Sequence, residues 1–258
     1  MGLPSSDSTC YTPIHWMERP SNTTAVHRRD EVPIVTTAQP MSPAAPTFPT
    51  TRLAAIGALG FAAGVAIQNF VLLIGMPDTA AAPSDVAAWL TENRSRSTMA
   101  SAIVGFNMPL LLVFAAGSRA LVRDVAAARL WVDLGAFAAI VLVGLFGIVA
   151  STQIAATLIA DGGATPAFIA LWMVHNAAFA LAMTAVGVAL LGFAVGMHVA
   201  GLTPAWQRTM GLVGATLLLV TGLANAAVAS GSPIIYVGLG GFGLWLVWLV
   251  ATGARLLR

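Results

Sequence analysis

RLWVDLGAFAAIVLVGLFGIVASTQIAATLIA (residues 129–160), the turn DGGAT (161–165) and PAFIALWMVHNAAFALAMTAVGVALLGFAVGMHV (166–199) decide the fold of this chain. Apolar residues run on without alternating, so each segment reads as a helix and not as a barrel strand. Each exceeds the ~20 residues that a helix needs to cross a ~30 Å hydrocarbon core. At 32 and 34 residues the two must tilt or project beyond the membrane. Asp161-Gly162-Gly163 is a turn signal, and Pro166 suits the first turn of the next helix.

Four further apolar segments flank this pair, at 53–76, 98–122, 207–230 and 233–257, and Pro204 and Pro233 punctuate the later connections. The expected fold is therefore all-α, a polytopic transmembrane bundle of six helices. One connection is more than a turn. Pro83-Ser84-Asp85 reads as a helix start with an acidic first turn, and Val86, Trp89 and Leu90 share a face. This predicts a short amphipathic helix over 84–93, lying at the membrane interface with Trp89 as its anchor.

Composition excludes the main alternatives. Of the 258 residues 58% are hydrophobic and 9% charged, against roughly a quarter charged in a soluble domain. Mean hydropathy is +0.85, too high for a water-soluble globule or a disordered protein. All 12 basic residues are Arg, a usage that fits a bacterial proteome with GC-rich coding. The pI is near 9.3, yet the net charge is only +2 and no basic run exceeds two residues. Nucleic acid is excluded as a partner, because its recognition needs a clustered basic face. The single cysteine, Cys10, forms neither an internal disulfide nor a multi-thiolate metal site.

Residues 1–52 differ from the rest. They hold eight of the 14 prolines and a Ser/Thr/Pro-rich stretch from Thr36 to Thr51. Such a segment buries too little apolar surface to offset its ordering entropy, and it reads as a disordered cytosolic tail. No apolar core of a signal peptide follows the first residues. Met41 is a plausible alternative start, since it leads directly into the first apolar run.

Arginine placement predicts the orientation. With the N-terminus inside, the cytosolic segments hold ten arginines, and the outer ones hold only Arg94 and Arg96. Without the first 40 residues the ratio is still seven to two. Both termini are expected in the cytosol of a plasma-membrane protein. The second, fourth and sixth segments end alike, at Gly117-Ser-Arg119, Gly196-Met-His198 and Gly253-Ala-Arg255. Three ancestral hairpins would leave this trace, as would abundant Gly with Arg near cytosolic helix ends.

Three stretches carry a family likeness: Asp85-Val-Ala-Ala-Trp-Leu-Thr-Glu-Asn-Arg94, Leu202-Thr-Pro-Ala-Trp206, and the C-terminal Leu244-Trp-Leu-Val-Trp-Leu-Val-Ala-Thr-Gly-Ala-Arg-Leu-Leu257. Over 53–258 the chain resembles the actinobacterial six-helix integral membrane proteins grouped as domain of unknown function 4386 and its relatives. The resemblance implies the same six-helix fold. It brings no activity, cofactor or site residue.

Ionisable groups within the membrane are costly and usually purposeful. Asp133 lies one turn into the third segment, with Arg129 at i−4 as its expected partner. His175 stands about nine residues into the fourth segment, roughly 13 Å below the outer surface at 1.5 Å per residue. Asn176 is beside it, and the same counting puts Gln68, Asn69, Asn107, Gln153 and Asn225 at similar depth. A polar layer in the outer half follows. It is either interhelical hydrogen bonding that fixes packing or a pocket for a ligand.

Other chemistry fails on counting. His15 and His27 are in the tail, and His175 and His198 are about 35 Å apart along one helix, too far to share a metal or haem. His175 with Ser151 lacks an acidic group to complete a hydrolase triad. Gly238-Leu-Gly-Gly-Phe-Gly243 lies inside a span rather than after a soluble strand, so it reads as helix packing and not as a nucleotide loop. Trp89 and Trp206 suit the interfacial belt, whereas Trp172 and Trp245 read as packing residues. No cofactor is expected. The first functional reading is a non-enzymatic membrane component: structural, sensory or an accessory subunit with a protein partner. The alternative is a carrier or binder of a small neutral or lipophilic molecule, using the outer polar layer.

Overall fold

The computed structural model describes residues 49–258. The predicted tail falls outside them but for its last residues, and those are not tail: Thr50 opens the first helix. The chain then forms α1 (Thr50–Ile67), a π-turn (Gln68–Leu72), α2 (Pro83–Glu92), α3 (Arg94–Leu121), α4 (Ala126–Ile159), α5 (Pro166–Val199), α6 (Ala205–Leu223), α7 (Asn225–Ala229) and α8 (Ile235–Leu256). No strand occurs among the described residues. Five helices are long and apolar enough to cross a membrane: α1 with its π-turn, α3, α4, α5 and α8.

Departures from the sequence reading have local causes. The first span ends at Leu72 rather than 76, because Leu73 leaves helical geometry and Gly75 turns the chain at φ +79°. The expected 207–230 segment is broken at Ala224 into α6 and α7, and Gln207 and Arg208 make its first turn polar. At α2, Ala82 rather than Ser84 occupies the N-cap, with Pro83 at the first helical position. At α5 the cap is Thr165, whose Oγ1 accepts from Phe168 N at 3.3 Å.

The long helices close into a ring in which α1 packs on α3, α3 on α4, α4 on α5, α5 on α6, α6 on α8 and α8 on α1. Small residues set the spacing. A Cβ on Gly57 would lie 2.5 Å from Phe114 N, and one on Gly192 would lie 2.5 Å from Gly135 N. Gly253 of α8 lies against Leu59 and the Ala55 carbonyl of α1, closing the ring at the end where α1 begins and α8 finishes. This end is called the base and the opposite one the rim.

The base half of the ring is filled by aromatic side chains. Phe114, Phe193 and Trp248 are fully buried. Phe114 meets Phe193 edge-on at 5.0 Å between centroids and Trp248 at 6.2 Å. Outward faces are apolar as well: Phe106, Leu130 and Phe137 are 70%, 73% and 60% exposed. Surface of that kind belongs against lipid rather than water.

At the rim, the expected short amphipathic helix is present as α2, and its apolar face is docked on the bundle. Val86, Ala87 and Leu90 are buried against Ala156, Ala160, Phe168 and Trp172 of the α4–α5 turn region. Trp89 is half-buried, with the Arg96 guanidinium over its ring at 6.0 Å. Near the base, Asp133 pairs with Arg119 of α3 at 2.6 Å, shorter than the expected contact to Arg129 at 3.7 Å.

Candidate functional site

Between the aromatic base and the rim the ring is hollow. A cavity of about 540 Å³ opens among α1 and its π-turn, α3, α4, α5, α8 and the 76–79 loop. That is the size of a site for a drug-sized molecule. Its polar side chains are confined to the rim half, where they stand among Phe70, Leu73, Met76, Trp172 and Ile235, and the base half is wholly apolar. Gln68, Asn69, Gln153, His175 and Asn176 stand towards the rim. Towards the base the walls are Phe61 on α1, Met108 on α3, Phe146 on α4, Phe179 and Met183 on α5, and Phe242 and Leu246 on α8.

The chain makes this gradient by ordinary helical spacing. Gln68 follows Phe61 by two turns on one face of α1, and Met183 follows Asn176 by two turns on α5. The π-turn contributes at the critical point. One residue of extra winding beyond Ile67 is a common device at binding sites, and here both Gln68 and Asn69 line the chamber. Asn69 Nδ2 is held by the Val65 carbonyl at 2.9 Å, whereas Gln68 is buried among chamber walls.

His175 is 8% exposed and fixed on two sides. Its ring stacks on Trp172 at 4.5 Å and 10°. Its Nδ1 lies 3.1 Å from the Val149 carbonyl and 3.4 Å from Thr152 Oγ1. A carbonyl only accepts, so Nδ1 carries the hydrogen and a neutral ring leaves Nε2 as an acceptor. The hydroxyl of Thr152 donates to the Ile148 carbonyl at 2.8 Å, so Thr152 is not an activated nucleophile. Ser151, the alternative considered from sequence, donates to the Gly147 carbonyl and is exposed.

The expected polar layer is thus only partly one site. Gln68, Asn69, Gln153, His175 and Asn176 line the chamber; Asn107 and Asn225 do not. His175 bonds the backbone and a hydroxyl of α4, where bonds to the amides of other helices were expected. Gln153 reaches away to α3, donating to Ser97 Oγ at 3.2 Å, and Ser97 shares a 2.9 Å bond with Thr157. Asn107 is fully buried against Gly64, with neither amide atom partnered, and Asn225 stands where α6 breaks. Rotation about the helix axis decides these outcomes, and depth counting carries no information on it.

The mouth is lateral. The exposed members of the lining are Asn69 and Phe70 of the π-turn, Asp78, and Tyr236, Leu239 and Gly243 of α8. The π-turn and α8 therefore diverge towards the rim, although α1 and α8 touch near the base. Across the gap the Tyr236 hydroxyl donates to Asp78 Oδ2 at 3.2 Å. Gly231, at φ +91°, lets the 79–80 backbone approach so closely that a Cβ there would lie 2.8 Å from Ala80 Cα. Sequence reasoning missed this strap, because Asp78 and Tyr236 are 158 residues apart and neither belongs to a motif. It also read Trp172 as packing and passed over Phe179, though their i, i+3 and i, i+4 spacing to His175 puts all three on one helix face.

Among the described residues, no three His, Cys, Asp or Glu side chains come together as a metal site would require. No protein-family model, curated protein or solved structure matches this chain. The fold and the chamber define it as a helical, multi-pass membrane-type protein with a side-opening apolar cavity.

Proposed function

We propose that this protein is a non-enzymatic binder or carrier of a small, neutral, lipophilic molecule in the plasma membrane. The observation that carries the reading is the chamber, an apolar space graded from amides and an imidazole at the rim to phenylalanine and methionine towards the base. Burying a charge there without a partner would be costly, and no arginine lines it. The exposed members of the lining include Phe70 on the π-turn and Leu239 on α8, apolar side chains that suit a bilayer, so we take the ligand to enter from there. Of the two readings of the sequence, a structural, sensory or accessory component and a binder or carrier, the chamber favours the second.

The proposal includes six crossings, with α6 as the fifth. It runs in the ring between α5 and α8, and its first turn lies at the base, where the exposed Arg208 would meet headgroups while Gln207 is buried against Trp248 and Thr252 of α8. The base then holds Arg52, Arg119, Arg123, Arg129, Arg208, Arg255 and Arg258, against Arg94 and Arg96 at the rim. This imbalance favours a cytosolic base with both termini inside.

The test uses Gly243, which lines the mouth on α8 and has no atom within 4 Å of an added Cβ. Gly243→Leu therefore obstructs the mouth without disturbing the helix packing. Protein in maltoside micelles is equilibrated with rising mole fractions of 1-dodecanol, and Tm is followed. Wild type should gain several degrees by ligand linkage, and Gly243→Leu should gain at most a third as much. Equal responses in the two, or none in wild type, would refute the binder reading.

A further inference from the structure

We infer that the ligand is a neutral long-chain alcohol, held with its hydroxyl at the rim end of the chamber between His175 and Gln68 and its alkyl chain towards the base. The inference rests on the binder reading and adds the chemistry of the head group. Two groups define that head. His175 Nδ1 is committed to the Val149 carbonyl, which leaves Nε2 as a lone-pair acceptor. No hydrogen bond to Nε2 occurs among the described residues, and His175 lines the chamber, so we take Nε2 as the acceptor it offers there. The Gln68 amide lines the same space without a hydrogen-bond partner among the described residues and offers two N–H donors. Asn176 stands next to His175, but its Oδ1 is sealed in protein and is not offered to the head.

A matching head must donate one hydrogen bond, to the imidazole, and accept another, from an amide. A hydroxyl does both with one atom. An ionised carboxylate only accepts, so it would set its lone pairs against that of Nε2, and the lining supplies no cation to neutralise it. An ammonium would need a carboxylate. The one present is Asp78 at the mouth, already bonded by the Tyr236 hydroxyl. An ether or ketone cannot donate. The tail is determined in the same way, because below the polar level the walls are Phe61, Met108, Phe146, Phe179 and Met183, which offer no hydrogen bond. Methionine and phenylalanine walls adapt to a flexible chain.

The experiment compares three probes of equal chain length in wild type: 1-dodecanol, 1-methoxyundecane and dodecanoate at pH 8. Protein in maltoside micelles is titrated with each, and the Tm shift is converted to an apparent affinity. The alcohol should bind about tenfold tighter than the ether, the worth of one buried hydrogen bond, and dodecanoate more weakly than either. His175→Phe keeps a ring to stack on Trp172 and removes the acceptor; in it the alcohol and ether should agree within about twofold. Gln68→Leu provides a second reading should the first variant fail to fold, and it should cut the preference at least about threefold. Alcohol and ether binding equally well to wild type, dodecanoate binding tightest, or a preference that survives both variants would overturn the head-group inference while leaving a binding chamber. No shift with any probe would instead remove the binder reading itself.

Discussion

At the scale of single residues, two buried amides of similar depth have different surroundings. Asn176 belongs to the chamber wall with its Oδ1 sealed in protein, whereas Asn107 is packed against Gly64 with both amide atoms unpartnered. An unsatisfied buried amide costs roughly 1–3 kcal/mol, and replacing it with an apolar group of similar shape is neutral or stabilising. Asn107→Leu should therefore leave Tm unchanged or raise it. Gly64→Ala should lower stability by roughly 1–3 kcal/mol through overpacking, since the added Cβ would overlap the Asn107 amide. The double variant Gly64→Ala/Asn107→Ala should recover most of that loss. Thermal melts of the four proteins check this, and strictly additive effects would show that the two side chains do not meet. The site was legible to the same degree as these residues are. Polar side chains in an apolar helix announce a depth, and five of the seven do line one chamber. Which way Asn107 and Asn225 turn depends on helix rotation and on the break after α6, and neither leaves a signal in residue type.

At the scale of elements, periodicity and length were enough to place α3, α4, α5 and α8 within a few residues. The reason is physical: in lipid a spanning segment must satisfy its backbone internally, so a long apolar run has one conformation open to it. The π-turn was not legible, because Gln68-Asn69-Phe70 differs little from ordinary helix in composition. Nor was the docking of α2, whose apolar face suits an interface as well as the rim of a bundle. The element on which topology depends is α6. Its polar first turn keeps it outside the five helices that qualify as spans by length and hydropathy, yet it packs in the ring between α5 and α8. If it crosses, Arg208 and Ser230 lie on opposite sides. With Cys10 replaced by serine, Arg208→Cys should be protected from a membrane-impermeant maleimide in intact cells, and Ser230→Cys should react. Labelling of both, or of Arg208→Cys alone, would contradict six crossings with cytosolic termini.

At the scale of the whole molecule, the ring is closed and solid at the base and hollow and parted at the rim. Glycine contacts draw α1 and α8 together near Gly253, aromatic side chains fill the space between Phe114, Phe193 and Trp248, and above them the walls separate around 540 Å³. A bundle selected only for packing would be expected to fill such a space, since interiors are normally close-packed and voids are costly. A chamber that is apolar below, carries its few polar groups above and is open to the side is what a bilayer-borne amphiphile requires. The most direct test is a crystal structure of the protein grown with 12-bromododecan-1-ol and measured at the bromine absorption edge. The account requires an anomalous peak within the chamber, in van der Waals contact with Phe61, Phe146 or Met183, with the hydroxyl near His175. Bromine found only on the lipid-facing surface, with side chains collapsed into the chamber, would contradict it.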